Sequence, residues 1–265
     1  MHKSLRIAAA TAACALAGGV LYGAGAATAG QSTANSTHEP YNIGLLVKDI
    51  DTYYGTTADS DGVYQASPAS PYAKDLARID AAARRYIAKA ARKAHHHGEK
   101  PAVVFDIDDT LLLSLDYEKR YNYTYNPTTW SDYVNRADRP AVFGSPELVR
   151  YAESKGVEVF YNSGLSEAQR AGAVENLKKV GVDINLDTGH MFLKDKANPP
   201  AYLSDCAAPG AWNCTTVQYK AGTREHIEDD LGYDVIANFG DQYSDLDGGH
   251  ADRTYKLPNP TYFVS

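Results

Sequence analysis

The stretch that decides the fold reads AVVFDIDDT and runs from Ala102 to Thr110. A short apolar run that changes abruptly to acidic residues is typical of a buried parallel strand whose carboxyl end opens into a ligand crevice. Because side chains alternate along a strand, Asp106 and Asp108 are expected to project to the same side. Two converging carboxylates favour a hard, oxygen-preferring cation such as Mg²⁺.

The chain around this stretch alternates between helical and strand patterns. Its 265 residues with 44% hydrophobic content suffice for one large domain. Ser145 and Thr223 are predicted to cap helices. The predicted elements are helices at 145–156, 166–181 and 223–232, strands at 157–161, 190–193 and 234–239, and an extended segment at 255–263. This alternation predicts an α/β fold, a Rossmann-like, mainly parallel sheet with flanking helices.

Residues 1–29 have the features of a secretory signal peptide: Lys3 and Arg6, then a small-residue apolar run, then a cleavage site ending at Ala29. The alternative is a membrane anchor, but the apolar run from 7 to about 20 is shorter than the ~20 residues of a spanning helix. Residues 30–40 are small and polar, which predicts a flexible spacer before a domain at 41–265. We therefore expect a secreted protein without membrane attachment after cleavage.

An N-terminal helical segment is predicted before the opening strand. Apolar residues at helical spacing indicate helices at 41–54 and from Pro71 to His97, where Gly98 ends the second one. The run His95 to His97 either complements the dipole at this helix end or binds a metal. The formal net charge of −7 argues against binding to a nucleic-acid polymer.

A tyrosine-rich tract interrupts the alternation at about 113–142. It predicts a small aromatic cap inserted after the first core strand and standing over the strand ends. Its rings either receive the organic part of a ligand or only pack the cap against the core. The candidate pocket residues are Tyr121, Tyr123, Tyr125 and Trp130, together with Asn162 near the end of the next strand.

Two cysteines, Cys206 and Cys214, lie close together in a loop that contains Pro and Gly. In an exported chain this spacing favours a disulfide bond. Half of a zinc site is the other interpretation, but no histidine nearby has the spacing of a ligand.

Four features fall at or near successive strand ends, in the order Asp106 with Asp108, Ser163, Lys220, and Asp241 with Asp245. This order, with the aromatic cap and the run Leu257-Pro258-Asn259-Pro260, resembles the haloacid dehalogenase superfamily of phosphohydrolases, in its class B and plant-type acid phosphatase branch. The resemblance covers nearly all of the chain from about residue 40 onward.

The resemblance implies a role for each acidic residue. Asp106 is the candidate nucleophile and a Mg²⁺ ligand. Asp108 is the candidate general acid and base and meets the metal through its main-chain carbonyl. Asp241 completes the metal site, and Asp245 is an outer or alternate ligand. Lys220 brings one positive charge against these four carboxylates, so a divalent cation is needed to keep the nucleophile ionised.

The resemblance also assigns the phosphate-binding residues, which are Ser163, Gly164 and Lys220. Taken singly, a serine here is also a turn residue and a lysine a solvated one. Related enzymes carry an arginine where this chain has Leu165, so a bidentate contact or an ion pair is missing and the substrate preference is open.

These residues lead to one hypothesis and two alternatives. The hypothesis is a secreted, Mg²⁺-dependent phosphomonoesterase of the acid phosphatase type, acting on a small phosphomonoester through an aspartyl-phosphate. A dehalogenase needs no acid for an alkoxide leaving group, so Asp108 argues against that chemistry. The other alternative is a secreted, non-catalytic storage or binding protein of the same fold. The sequence leaves the oligomeric state undetermined.

Overall fold

The computed structural model describes residues 40–265, and the predicted signal peptide, with most of the spacer, lies outside these residues. Residues Ile43–Ser265 form one compact unit. The helices are α1 Ile43–Tyr54, α2 Pro71–His97, α3 Leu115–Arg120, α4 Pro127–Asn135, α5 Ser145–Glu153, α6 Arg170–Lys179, α7 Thr216–Asp229 and α8 Tyr243–Leu246. The strands are β1 Thr57–Ala58, β2 Tyr64–Gln65, β3 Pro101–Phe105, β4 Glu158–Ser166, β5 Met191–Lys194, β6 Ala207–Ala208, β7 Ala211–Trp212, β8 Asp234–Gly240 and β9 Thr254–Lys256.

Five of these strands form a parallel sheet in the order β5-β4-β3-β8-β9, which confirms the predicted α/β class. The chain runs outward from β3 to β5 and then returns to the other side of β3 to form β8. The strand order therefore reverses between β3 and β8, and ligands of open α/β sheets bind at the carboxyl ends next to such a reversal. The main-chain N–H of Asp106 donates to the carbonyl of Phe239 at 2.9 Å, so both strands end at this place.

The central strand is buried along its whole length, because helices cover both faces of a parallel sheet. Phe105 stacks on Phe239 with 4.6 Å between ring centroids, and Phe239 stacks on Tyr255 of the edge strand at 4.8 Å. The long helix α2 packs its apolar face against this core. It begins at the N-cap Ser70 and ends at Gly98, which has the φ of 75° that glycine adopts most readily. Its predicted bounds are confirmed.

Asp106 and Asp108 do not lie on strand β3, as the alternation of strand side chains had predicted. Strand β3 ends at Phe105, so both residues lie in the following turn rather than on a regular strand. The N–H groups of Leu111 and Leu112 both donate to the carbonyl of Ile107 at 2.9 Å. The alternation of strand side chains therefore does not govern the two carboxylates, and the turn places them.

Two predicted helix caps are also wrong. Helix α7 begins at Thr216, seven residues before Thr223, after a capping box in which Thr215 accepts from the N–H of Gln218. Thr223 lies inside that helix, buried, and its hydroxyl donates to the carbonyl of Tyr219 at 2.9 Å. Gly144, with a φ of 80°, caps α5, and Ser145 is the first helical residue. Both errors arose because Ser and Thr satisfy main-chain groups inside helices as well as at their ends.

The predicted disulfide bond between Cys206 and Cys214 is present, with 4.7 Å between the Cα atoms. It closes a small hairpin of β6 and β7, whose side chains pack with Leu203 and Tyr219. Within residues 40–265, no helix combines the length and the hydropathy that crossing a membrane requires.

Candidate active site

The carboxyl ends of β3, β4, β5 and β8 surround a cavity of about 710 Å³. Asp106, Asp108, Lys220, Asp241 and Asp245 all line it, although they are distant in sequence. The reversal of strand order explains this convergence, because it brings the ends of β3 and β8 side by side.

Asp106 is the buried centre of the site, with 5% of its surface exposed. The Lys220 ammonium donates to Asp106 Oδ1 at 2.6 Å and pairs with Asp245 Oδ1 at 2.8 Å. It also donates to the carbonyl of Asn162, whose side-chain amide donates back to the carbonyl of Lys220 at 2.9 Å. These contacts fix Lys220 on α7, where it lies within the helix and not ahead of it as predicted.

Burial by itself raises the pKa of Asp106 and lowers the pKa of Lys220, and charged neighbours act against both shifts. Burial and the neighbouring carboxylates raise the pKa of Asp106 well above its usual range, and Lys220 acts against this shift. The same carboxylates raise the pKa of Lys220 despite its burial. The nearby carboxylates therefore favour the charged form of Lys220, but one ammonium does not neutralise the acidic groups around it.

Three buried carboxylates, Asp106, Asp241 and Asp245, present oxygen atoms within 4.8 Å of one another. Asp241 Oδ2 accepts from the side-chain amides of Gln242 and Asn259, both at 2.7 Å. Burial and the charges of Asp245 and Asp109 nevertheless raise the pKa of Asp241 to about 7. Buried carboxylates with raised pKa values are what a hard divalent cation would relieve, so this donor set fits Mg²⁺.

Helix α8 sets the position of Asp245. Gln242 and Asp245 form a capping box in which the main-chain N–H of Gln242 donates to Asp245 Oδ2 at 3.0 Å. Gly240 allows the close approach, because a Cβ at this residue would lie 2.8 Å from Asp245 Oδ2. The guanidinium of Arg224 donates to the carbonyls of Asp245 and Asp247, both at 2.6 Å, and so anchors the short helix to α7.

Asp108 faces a different partner from Asp106. The Arg139 side chain is fully buried, and its Nη1 donates to Asp108 Oδ1 at 2.5 Å. The Asp108 side chain keeps 16% exposure towards the cavity. Its carboxylate does not belong to the three that converge, and its main-chain contact with a metal stays a prediction.

Asp109 serves the turn rather than the cavity. It has a φ of 56°, which is uncommon outside glycine, and it accepts from the N–H of Ser114 at 2.9 Å and from the Ser114 hydroxyl. These bonds tie the turn after β3 to the start of the cap. The third aspartate of the opening stretch thus stabilises the turn in which the other two lie.

The ladder between β4 and β5 is interrupted beside the cavity. Asn162 pairs with Phe192 and Ser166 pairs with Lys194, with a shift of register between them. Gly164 and Leu165 line the cavity at this break, whereas Ser163 is buried beneath it and accepts from the N–H of Leu165 at 3.2 Å. Main-chain groups freed from a ladder are available to an anion.

Lys194 stands at the same break and was not predicted as a site residue. Its ammonium would lie 3.8 Å from a Cβ placed on Gly164. Burial and the charge of Lys220 lower the pKa of Lys194. Within residues 40–265 no carboxylate forms an ion pair with it, so an anion in the cavity would be its partner.

Three of the predicted pocket residues line the cavity from the cap side, namely Tyr123, Tyr125 and Trp130. Tyr121 does not, because its ring is 39% exposed and packs against Tyr117 with 4.6 Å between centroids. Asn162 is buried and holds Lys220 instead of facing the cavity. The cap also contributes Glu118, a residue the sequence did not single out.

The chain matches known proteins across most of the described residues. The family model described as HAD superfamily, subfamily IIIB (acid phosphatase) matches residues 57–265. The stem 28 kDa glycoprotein of Glycine max is 33% identical over 170 residues, or 62% of this chain and 61% of that protein. Vegetative storage protein 1 of Arabidopsis thaliana is 33% identical over 168 residues, 61% of this chain and 54% of that protein.

A tomato relative is named for an activity. Acid phosphatase 1 of Solanum lycopersicum is 29% identical over 165 residues, 61% of this chain and 58% of that protein. Each match thus spans less than two thirds of the relative's own length.

A solved structure has the same fold. The class C acid phosphatase from Bacillus anthracis superposes with a TM-score of 0.52 at 23% identity, over 70% of this chain and 78% of the other. With the family match over residues 57–265, the chain belongs to the acid phosphatase subfamily IIIB of the HAD superfamily.

Proposed function

We propose that this protein is a secreted, Mg²⁺-dependent phosphomonoesterase that acts through an aspartyl-phosphate on Asp106. The pairing of Asp106 with the buried ammonium of Lys220, beside two further buried carboxylates, is the observation on which the proposal rests. Lys220 stabilises the ionised carboxylate that must attack phosphorus.

In the first step, Asp106 attacks phosphorus in line with the ester oxygen. The bond between phosphorus and that oxygen breaks while a bond from Asp106 to phosphorus forms. Asp108 donates a proton to the departing oxygen, and the alcohol leaves. In the second step Asp108 takes a proton from water, which attacks phosphorus and releases inorganic phosphate and free Asp106.

Arg139 positions Asp108 for this proton transfer. Its contact at 2.5 Å holds one oxygen of Asp108 against the cap, and the other oxygen remains free for the leaving group. Arg139 lies 5.6 Å from the centroid of Trp130 and so links the acid–base residue to the cap wall.

The phosphoryl oxygens are bound on the other side of Asp106. The main chain at Gly164 and the ammonium of Lys220 provide the donors, and Lys194 adds a second cation. Ser163, which was also predicted to bind phosphate, is buried below the cavity. The break in the ladder between β4 and β5, and the lack of an ion pair for Lys194 among residues 40–265, support this assignment. Preorganised donors of this kind stabilise the charge of a transferring phosphoryl group.

Mg²⁺ would be held by Asp106, Asp241 and the main-chain carbonyl of Asp108, with Asp245 as an outer or alternate ligand. The convergence of three buried carboxylates supports this site. When bound, the ion neutralises the carboxylates and the charge that develops on the phosphoryl oxygens.

Secretion rests on the N-terminal sequence and on the disulfide bond. Residues 1–29 have the features of a signal peptide, and the bond between Cys206 and Cys214 suits an oxidising compartment. N-terminal sequencing of the exported protein should begin close to Gly30.

Two substitutions test the mechanism because each should block a different step of the reaction. Asp106→Asn should abolish turnover of both aryl and alkyl phosphates. Asp108→Asn should retain phosphorylation of Asp106 by an activated aryl phosphate, whose leaving group needs no proton, and should lose alkyl ester hydrolysis. Rapid-quench detection of the phosphoenzyme distinguishes the two variants, and unchanged turnover by Asp106→Asn would disprove the proposal.

A storage or binding protein of the same fold is the second candidate, favoured by the similarity to a vegetative storage protein. It predicts ligand binding without release of phosphate by the native chain. The presence of Asp106 together with its lysine partner argues for turnover.

A further inference from the structure

Glu118 is a buried carboxyl group without a partner on the cap side of the cavity. Only 6% of the residue is exposed, and its Oε2 is buried without a hydrogen-bond partner. The cations that follow it on α3 are engaged elsewhere, since Lys119 pairs with Asp51 at 2.6 Å and Arg120 pairs with Asp116 at 2.7 Å. Within the described part of the chain, no group therefore forms a hydrogen bond with Oε2 of Glu118.

Aromatic rings share this wall of the cavity with Glu118. Tyr123, Tyr125 and Trp130 line it, and the rings of Tyr125 and Trp130 lie 6.5 Å apart. Trp130 already has the Arg139 guanidinium 5.6 Å from its centroid. Aromatic faces attract cations, and the attraction increases when the cation is desolvated.

The turn that presents Tyr123 is held in a costly conformation. Asn122 and Tyr123 have φ values of 51° and 57°, in the left-handed region that residues with a Cβ rarely adopt. Strained residues of this kind tend to occur where a ligand is bound. The buried Tyr123 hydroxyl lies near both Lys119 and Glu118 and adds a second polar atom to the wall.

The combination of a free carboxyl and aromatic faces selects a cation. A buried carboxylate without a partner is costly, whereas an ammonium beside it restores both the charge balance and the hydrogen bond. A neutral aromatic group would stack on the rings but would leave the carboxyl uncompensated. We propose that the organic part of the substrate carries an ammonium group that binds Glu118 and the adjacent aromatic faces, so that the protein hydrolyses phosphate esters of amino alcohols.

This inference rests on the proposed phosphomonoesterase function and adds the substrate class. The phosphoryl group occupies the Asp106 side of the cavity and the ammonium the cap side, and the products are an amino alcohol and inorganic phosphate. Burial and the charge of Asp109 raise the pKa of Glu118 to about 8, as expected for a carboxyl group that lacks a cation until the substrate arrives.

The test compares ω-aminoalkyl phosphates with n-alkyl phosphates of the same length, in which a methyl group replaces the ammonium. The native protein should show a higher kcat/KM for the ammonium esters, by at least about tenfold at the best chain length. Glu118→Gln should abolish this preference, because the amide is uncharged. Asp132→Asn, which removes an exposed carboxylate from the same cap, should retain it.

Binding to Asp106→Asn separates the inference from the proposed function. A thermal shift or calorimetric titration should show tighter binding of the ammonium ester than of its methyl counterpart, and Glu118→Gln in this background should equalise them. Hydrolysis of both ester series at equal kcat/KM, or a preference that persists in Glu118→Gln, would overturn the ammonium site and leave the phosphatase proposal intact. Absence of hydrolysis with selective binding would overturn the phosphatase proposal alone.

Discussion

Two lysines of the site have different environments at the scale of single residues. Lys220 is shared between Asp106 and Asp245, whereas Lys194 faces the cavity without a carboxylate partner among residues 40–265. An unpaired, half-buried ammonium is costly by itself and becomes favourable when an anion binds. We therefore assign Lys194 to the substrate and Lys220 mainly to the nucleophile.

Lys194→Met should raise KM for phosphate esters and the inhibition constant of inorganic phosphate by roughly ten- to a hundredfold, since a charged hydrogen bond contributes about 1.5–3 kcal/mol. Lys196→Met removes an exposed lysine two residues away and serves as the control. Steady-state kinetics of both variants measure the effect. Equal constants for the two would show that Lys194 does not contact the phosphoryl group.

Glu118 gives a residue-scale prediction about pH and stability. Its pKa rises from the usual 4.5 to about 8 in the folded protein, so folding favours the neutral form. The contribution of Glu118 to the free energy of unfolding is therefore complete below pH 4.5 and is lost as the pH rises through 8. Glu118→Gln stays neutral throughout, and its advantage over the native protein should grow across this range to about 1–3 kcal/mol.

Thermal unfolding of both proteins from pH 4.5 to 9 measures this advantage. A residue kept for packing would be destabilised by the change, whereas a residue kept for binding should gain stability while losing substrate recognition. A Tm difference that does not vary with pH would contradict the unpartnered state of Glu118.

At the scale of elements, α8 brings Asp245 close to Asp106 and Asp241 only because Gly240 has no side chain. A Cβ there would press on Asp245, at 2.8 Å from its Oδ2. Gly240→Ala should displace α8 and weaken Mg²⁺ binding by about ten- to a hundredfold, the range seen when the supports of metal ligands are changed.

Isothermal titration with Mg²⁺ tests this displacement. Gly189→Ala makes the same change in a turn outside the cavity and should leave the affinity for Mg²⁺ as it is in the native protein. An unaltered affinity in Gly240→Ala would mean that Asp245 is not needed for the metal.

The aromatic side chains on and between the cap helices α3 and α4 form two groups, one inside the cap and one facing the cavity. Tyr117 packs against Trp130 with 4.9 Å between centroids and against Tyr133 at 5.3 Å, so part of the aromatic tract forms the cap's own core. Tyr123 and Tyr125 face the cavity instead. Packing therefore accounts for Tyr117, whereas contact of Tyr123 and Tyr125 with a ligand stays a prediction.

At the scale of the whole molecule, we expect a bound cation to stabilise the fold, because three buried carboxylates lie together and repel one another. Mg²⁺ should raise the Tm of the native protein in proportion to the logarithm of its concentration, and EDTA should reverse the increase. Asp241→Asn should unfold at a higher temperature than the metal-free native protein, since it removes one of the three charges.

The same variant should gain little from Mg²⁺, because it lacks a ligand. Differential scanning calorimetry with and without the metal measures both effects. A Mg²⁺-induced rise in Tm that is as large in Asp241→Asn as in the native protein would place the metal elsewhere.

The sequence by itself determined the α/β class, the bounds of α2, the disulfide bond and the acidic residues near the strand ends. These features depend on local patterns: apolar runs, caps such as Ser70 and Gly98, and spacing along the chain. Lys194 directly follows a predicted strand, so a strand-end rule applied to basic residues would have found it.

Only the tertiary structure decided how these groups meet. It ended β3 at Phe105, placed Lys220 inside α7 and paired Asp108 with Arg139. It also left Oε2 of Glu118 without a hydrogen-bond partner among residues 40–265. Each of these depends on groups far apart in sequence, such as Lys220 and Asp106, whose contact arises where the strand order reverses. Periodicity describes which face of an element is buried, but the partner that a buried charge meets there is a property of the folded chain.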